Sequence, residues 1–203
     1  MKAATIIAWF TLASAAFAGE KIALKAESGL FEIAQEYQGE FIETVRFRDP
    51  KISTVGFSGF SWSGVYHLSL DEQSLLRIQK IGSGESRAVL YRIEKNGRVS
   101  EVLGFDDLLW RISDAMSGLK KRKLYHTGVG DIAWAKDCDT VEIVLRGSNA
   151  TKSGDGIKTR LIYDIKGNKV TAKNSPNWGI ILLRSELFGT LLPIIMWCIL
   201  RRF

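Results

Sequence analysis

Apolar and polar positions divide this 203-residue chain into two apolar ends and a body in which period-two patterning dominates. In the body, Phe31 to Tyr37 and Phe41 to Phe47 alternate and are rich in aromatic and β-branched residues, the pattern of half-buried strands. Gln38-Gly39-Glu40 supplies a turn between them and Asp49-Pro50 ends the pair, so a hairpin is predicted. Gly56 to Gly64, rich in glycine, serine and aromatics, reads as a bend between strands. The period changes once. From Phe105 to Leu119, Leu108, Leu109, Ile112, Met116 and Leu119 recur at three- and four-residue steps, which predicts an amphipathic helix. Asp106 or Asp107 is placed to cap its start and Gly118 to end it.

Two stretches flanking that helix resemble each other. Tyr66 to Ile78 and Ile132 to Val144 each read as strand, aspartate-led polar turn and strand. After a Gly-Ser loop, each is followed by a hairpin, Ala88 to Val99 turning at Asn96-Gly97 and Thr159 to Val170 turning at Gly167-Asn168. In these residues the chain resembles blades of bacterial β-propellers of the WD-repeat and Tol-associated kind. Ala133-Trp134, Asp137 and Leu161-Ile162-Tyr163-Asp164 match the blade pattern, while Lys136 and Cys138 depart from it. In the first copy Ser69 and Asp71 match, and Leu70 and Glu72 depart. The resemblance covers Tyr66 to Val102 and Ile132 to Val170. It implies two propeller-blade-like groups that bind proteins or ligands, too few to close a ring of four to eight blades. The fold expected is mainly β: antiparallel meanders in two such groups, one inserted helix and an apolar carboxyl-terminal helix. An open or sandwich-like assembly is expected, with the amino-terminal hairpin and the Trp62 region contributing part of a third sheet.

The apolar ends change the picture from fold to address. Met1-Lys2, an apolar run from Ala3, and Ala16-Phe17-Ala18 before Gly19 have the three parts of a secretory signal peptide, with cleavage between Ala18 and Gly19. Residues 19–177 then form one extracytoplasmic domain, and residues 178–203 an apolar tail. The uncharged run from Leu187 to Leu200 reaches only ~21 Å as a helix, but counting from Trp178 the segment reaches ~34 Å and spans a ~30 Å hydrocarbon core. Arg184 and Glu186 oppose insertion; about a dozen Leu, Ile, Phe and Met side chains favour it. Arg201-Arg202 would then lie on the cytoplasmic side, as the positive-inside tendency requires. The competing arrangement is a buried strand over 178–183 followed by a core helix kinked at Pro193.

Composition narrows function by exclusion. Hydrophobic residues make up 46% and charged residues 25%, the balance of a globular domain. The formal charge of +6 is modest, and its densest run, Lys120 to Lys123, follows the predicted helix, where cations complement the carboxyl end of the dipole. No nucleic-acid partner is expected. Cys138 and Cys198 are the only cysteines and are not expected to pair. Asn149-Ala150-Thr151 fits a glycosylation acceptor, meaningful only in a eukaryotic secretory pathway. Gly56 to Gly64 contains no G-x-S-x-G in register, and Gly82-Ser83-Gly84-Glu85 and Gly128-Val129-Gly130 are loop glycines rather than phosphate-binding fingerprints. His67 and His126 would serve a triad only beside a serine and a carboxylate. Asp137, Asp139 and Glu142 carry oxygens suited to calcium but lack the EF-hand glycine and distant glutamate. No catalytic, cofactor-binding or metal-binding residue is assigned. The expectation is an exported, membrane-anchored, non-catalytic interaction or scaffold module with a protein or envelope partner. The alternatives are a hydrolase or carbohydrate-active enzyme whose carboxylates meet only in three dimensions, and a soluble periplasmic ligand-binding protein.

Overall fold

The computed structural model describes residues 19–118, 120–148 and 156–173. The expected signal sequence, the Asn149-Ala150-Thr151 triplet, Leu119 and the apolar tail, with its expected carboxyl-terminal helix, lie outside the described residues. Within them, twelve strands form three four-stranded antiparallel sheets, with one α-helix. The first sheet is β1 (Lys21–Lys25), β2 (Phe31–Tyr37), β3 (Phe41–Phe47) and β4 (Val55–Phe60); the second is β5 (Val65–Leu68), β6 (Ser74–Gly82), β7 (Glu85–Ile93) and β8 (Val99–Glu101). Helix α1 (Phe105–Ser117) follows, then the third sheet, β9 (Tyr125–Trp134), β10 (Thr140–Ser148), β11 (Gly156–Asp164) and β12 (Lys169–Ala172). Each sheet is a simple meander in which sequence neighbours pair.

The predicted hairpin forms with Phe31 opposite Phe47 and Tyr37 opposite Phe41. The sequence pattern nevertheless undercounts the sheets, since the amino-terminal strands form a complete third unit. Its first turn repeats the geometry of the two aspartate-led turns. Ala26, Ser69 and Ala135 each donate a backbone N–H to the carbonyl five residues on, at 3.0, 2.9 and 3.0 Å. Gly29, Glu72 and Cys138 each donate back three residues and occupy the left-handed region, with φ of 70°, 58° and 60°. Asp71, Asp137 and, in the first copy, the Ser28 hydroxyl accept the N–H two residues on. A serine does the aspartate's work there, so an aspartate-led search passes over it. Of the stretch Gly56 to Gly64 read as a bend, Gly56 to Phe60 belong to β4, which pairs with β3 with a register irregularity between Phe41 and Glu43.

The sheets stack face to face. One face of β6 and β7 (Leu75, Val89, Tyr91) packs against Phe31, Ile33, Val45 and Phe47 of the first sheet. The other face (Leu76, Ala88, Leu90) packs against α1 and against Val141, Ile143, Leu145, Leu161 and Tyr163 of the third. The second sheet is therefore buried on both faces, and fully burying each such aliphatic side chain stabilises the fold by roughly 1.5–3 kcal/mol. The outer face of the third sheet carries Glu142 between Arg160 and Lys173, and Arg146 beside Asp131. The outer face of the first carries Arg46, paired to Glu20.

Helix α1 ends at Gly118 as expected, with φ 67° and its N–H bonded to Asp114. Its start differs. Gly104, also left-handed, is the N-cap, and no side chain caps the helix. Asp106 instead turns into the sheet, accepting the Ala88 N–H at 2.9 Å and pairing with Lys121 Nζ at 2.8 Å. The basic run is not in the last helical turn. It forms a 3₁₀ turn (Lys121–Lys123) that doubles back, Lys121 donating its N–H to Asp114 and laying its ammonium 5.0 Å from the Trp110 ring. Met116, assigned to the apolar stripe, is 40% exposed, whereas Phe105 and Trp110 are buried.

Candidate functional site

All the aspartate-type turns lie at one end of the stack, here called lower. The β2–β3 and β6–β7 turns, the start of β5 and the start of β9 lie at the upper end. There the chain crosses from the first sheet to the second through residues 61–64, whose backbone groups must find partners away from any ladder. Buried polar side chains supply them. Glu43 Oε1 accepts the Gly64 N–H at 2.6 Å, and Gln35 Nε2 donates to the Gly64 carbonyl at 2.9 Å and to Glu43 Oε1 at 2.8 Å. Gln79 Nε2 donates to the Trp62 carbonyl at 2.9 Å.

Glu43 in turn faces Arg77, with side-chain exposures of 0% and 1%. Arg77 Nε and Nη2 donate to Glu43 Oε2 at 2.8 and 2.5 Å, and the Tyr66 hydroxyl donates to the same oxygen. The guanidinium lies 3.8 Å from the Phe60 ring centre, a cation–π contact inside the low-dielectric interior. Burial, then its bond to the Glu43 carboxylate, pushes the Tyr66 phenol far above its ordinary value. Ionising Tyr66 would place a second negative charge beside Glu43. The Tyr66 phenol therefore stays a donor to Glu43, and the cluster serves to fix the linker.

What the linker presents is a groove of about 560 Å³ spanning all three sheets. Phe41 comes from the first, Trp62 from the crossing, Val65, Lys80 and Glu85 from the second, and His126 and Arg146 from the third. Lys80 Nζ sits 5.0 Å from the Trp62 ring. His126 adopts φ 53°, and its ring fills the space over Gly84 (φ 90°), where an added Cβ would lie 1.6 Å from Nδ1. That approach is why only glycine fits this turn. A second hollow of about 720 Å³ at the lower end lies between the turns of the first two sheets, where Ser28 donates to Glu72.

The residues singled out from sequence fall in different places. His126 lines the groove; His67 lies in β5, and burial lowers its pKa. Among the described residues neither histidine bonds to a serine or a carboxylate, so no triad forms. Asp137 accepts the Asp139 N–H within its turn, Asp139 pairs with Lys166, and Glu142 pairs with Arg160 and Lys173. The three carboxylates are each engaged separately, and no group of three His, Cys, Asp or Glu among the described residues is placed to hold a metal. Cys138 is a buried free thiol whose importance is its left-handed backbone. Gly19 is the first described residue and is exposed, while Ala16 and Ala18 lie outside the described residues. Among the described residues no helix is long and apolar enough to cross a membrane. Sequence reasoning missed Glu43 and Arg77, although each sits in the inward phase of an apolar strand, Glu43 with Val45 and Phe47, and Arg77 with Leu75.

No family model matches the chain, and no curated protein matches it. Among the solved structures that the chain resembles, two do so at very low identity and low structural overlap. The tricorn protease shares 7% identity at a TM-score of 0.44 over 74% of this chain and 12% of its own length. Hydrazine synthase of Kuenenia stuttgartiensis shares 11% identity at a TM-score of 0.40 over 76% of this chain and 41% of its own. The chain thus spans less than half the length of either protein.

Proposed function

We propose that the protein is an exported, membrane-anchored, non-catalytic interaction module built from propeller-type blades in an open stack, and that its contact surface is the upper end. The observation that carries this reading is the construction of that end. A fully buried ion pair and two buried glutamines serve to hold a crossing whose product is a half-exposed Trp62 at the rim of a three-sheet groove. Rigid aromatic anchors beside a polar rim are what protein and envelope contacts use. The hydrolase alternative has the weaker claim on the groove: Ser63, Ser86 and Glu85 line it with His126, but among the described residues His126 bonds to neither a serine nor a carboxylate, and the Ser86 hydroxyl is taken by the Val129 N–H. Photo-crosslinking in cells tests the proposal: a photoreactive residue at position 62 or 125 should capture an envelope component, and one at position 70, on the lower end, should not. Equal capture from both ends, or none from the upper end, refutes it. Fractionation with and without residues 178–203 tests the anchor, which fails if both forms are equally soluble.

The groove volume also falls within the ~300–1,000 Å³ of small-ligand pockets, which favours the periplasmic binding alternative as the second reading. A small-molecule library that raises Tm in the intact chain but not in Trp62→Ala would support it over the first.

A further inference from the structure

Six of the nine large apolar side chains exposed among the described residues lie at one end of the stack. Ile22 is near the start of β1, Tyr37 ends β2, Trp62 and Val65 flank the crossing, Ile81 lies beside the β6–β7 turn, and Tyr125 starts β9. Of these nine, the opposite end exposes Leu70 alone, among charged residues of both signs: Asp49, Asp71, Glu72 and Asp137 with Arg48, Lys51, Lys95 and Lys136. Both ends of the described chain point the same way as the apolar rim. β1 begins there, and β12 climbs toward it, with Ala172 opposite Leu161.

Chain length sharpens this. Leu161 stands five residues below Gly156 at the top of β11, about 17 Å at strand rise. Lys173 and the first apolar tail residue, Trp178, are also five residues apart, at most ~18 Å of chain. A tail that enters a bilayer from Trp178 therefore leaves the body no room to stand off. The choice of end is then made by chemistry. Tyr and Trp, apolar in body and polar at the tip, suit the headgroup boundary. Cations do not make the choice, because they stand at both ends: Lys21, Lys80, Arg122 and Lys123 near the rim, and Arg48, Lys51, Lys95 and Lys136 at the opposite end.

We infer that the partner of the upper end is the bilayer surface itself: the rim seats on the headgroup–acyl boundary of the membrane that residues 178–200 enter. This inference rests on the membrane-anchored reading above. It is tested with the full chain reconstituted in vesicles of phosphatidylcholine and phosphatidylglycerol. Flotation reports anchoring. Hydroxyl-radical footprinting of the floated protein should show Tyr37, Trp62 and Tyr125 protected several-fold relative to Leu70. Brominated acyl chains should quench the Trp62 emission, isolated as the difference between the chain and Trp62→Phe. A chain that floats with its rim as reactive as Leu70 overturns the inference and leaves the anchor standing. A rim that is protected but not quenched is covered by protein, a second copy or the tail, and also overturns it. A chain that fails to float sinks the anchored reading and the inference with it.

Discussion

Removing one member of the Glu43–Arg77 pair tests whether it holds the upper end together. In Arg77→Met the carboxylate stays at 0% exposure with the Gly64 N–H, Gln35 and Tyr66 as its remaining donors, and two charge-assisted bonds are lost. Breaking a buried pair from one side costs about 3–5 kcal/mol, because the surviving charge remains desolvated. For a domain of this size each kcal/mol lowers Tm by about 2–4 °C, so a fall of roughly 6–20 °C is expected. Glu43→Gln, which keeps the shape and leaves Arg77 unpaired, should lose a similar amount. Combining the two changes removes both charges while the introduced amide still accepts the Gly64 N–H. The double variant should therefore lose much less than the sum, with a coupling of about 2 kcal/mol or more. Urea midpoints at constant m measure all three. In the single variants, amide exchange at residues 62–64 should accelerate more than exchange in β10. Single losses below about 1 kcal/mol that simply add would refute the claim that the pair is buried and organises the crossing.

Three further outcomes follow from particular contacts. Gly84→Ala should cost about 3 kcal/mol by denaturant titration, from positive φ and collision with His126, and His126→Ala should restore part of it. Gly29→Ala has free space around the new methyl, so its loss of about 1–2 kcal/mol isolates the left-handed backbone cost in the first of the three equivalent turns. Burial raises the pKa of Tyr66, Tyr91 and Tyr163. Their neutral forms contribute stability that is complete below the unfolded value of about 10 and declines as pH rises above it, and absorbance at 295 nm should show these three ionising only as the fold opens.

The hairpin and the helix were legible because burial on one face writes a period into the sequence, and Phe31 to Phe47 and Phe105 to Ile112 keep theirs. The first sheet was only half legible. Its opening turn uses Ser28 and Gly29 where the others use aspartate, and the hydrogen bonds, not the residue types, are what repeat. The site was hidden for a different reason. Alternation marks Glu43 and Arg77 as inward, yet their separation of 34 positions is closed only by the stacking of two sheets. The signal was a pair of opposite charges in apolar phases, which burial permits only if they meet. Asp106 misled in the opposite sense. Its position suggests a cap, but the Ala88 N–H and Lys121 compete for its carboxylate, and Gly104 leaves the cap to backbone alone.

The charged outer faces bear on whether a further sheet can pack on the three described ones. On the third sheet, Glu142 and Arg160 pair at 3.0 Å on the face turned away from the core, with side-chain exposures of 23% and 41%. Partly exposed pairs of this kind contribute about 0–1 kcal/mol, so their loss should leave the fold intact. Their larger effect is on association, because an apolar sheet face invites another sheet to pack on it. Glu142→Leu with Arg160→Leu would join Val144 and Ile162 into one apolar surface on that face. The variant should keep the far-ultraviolet dichroism and Tm of the parent to within a few degrees, while sedimentation velocity, run in matched detergent, reveals concentration-dependent association absent from the parent. Glu142→Gln with Arg160→Gln, neutral but polar, should not associate. If the leucine variant sediments like the parent, charge on this face is not what keeps it from pairing with another sheet, and the reasoning fails.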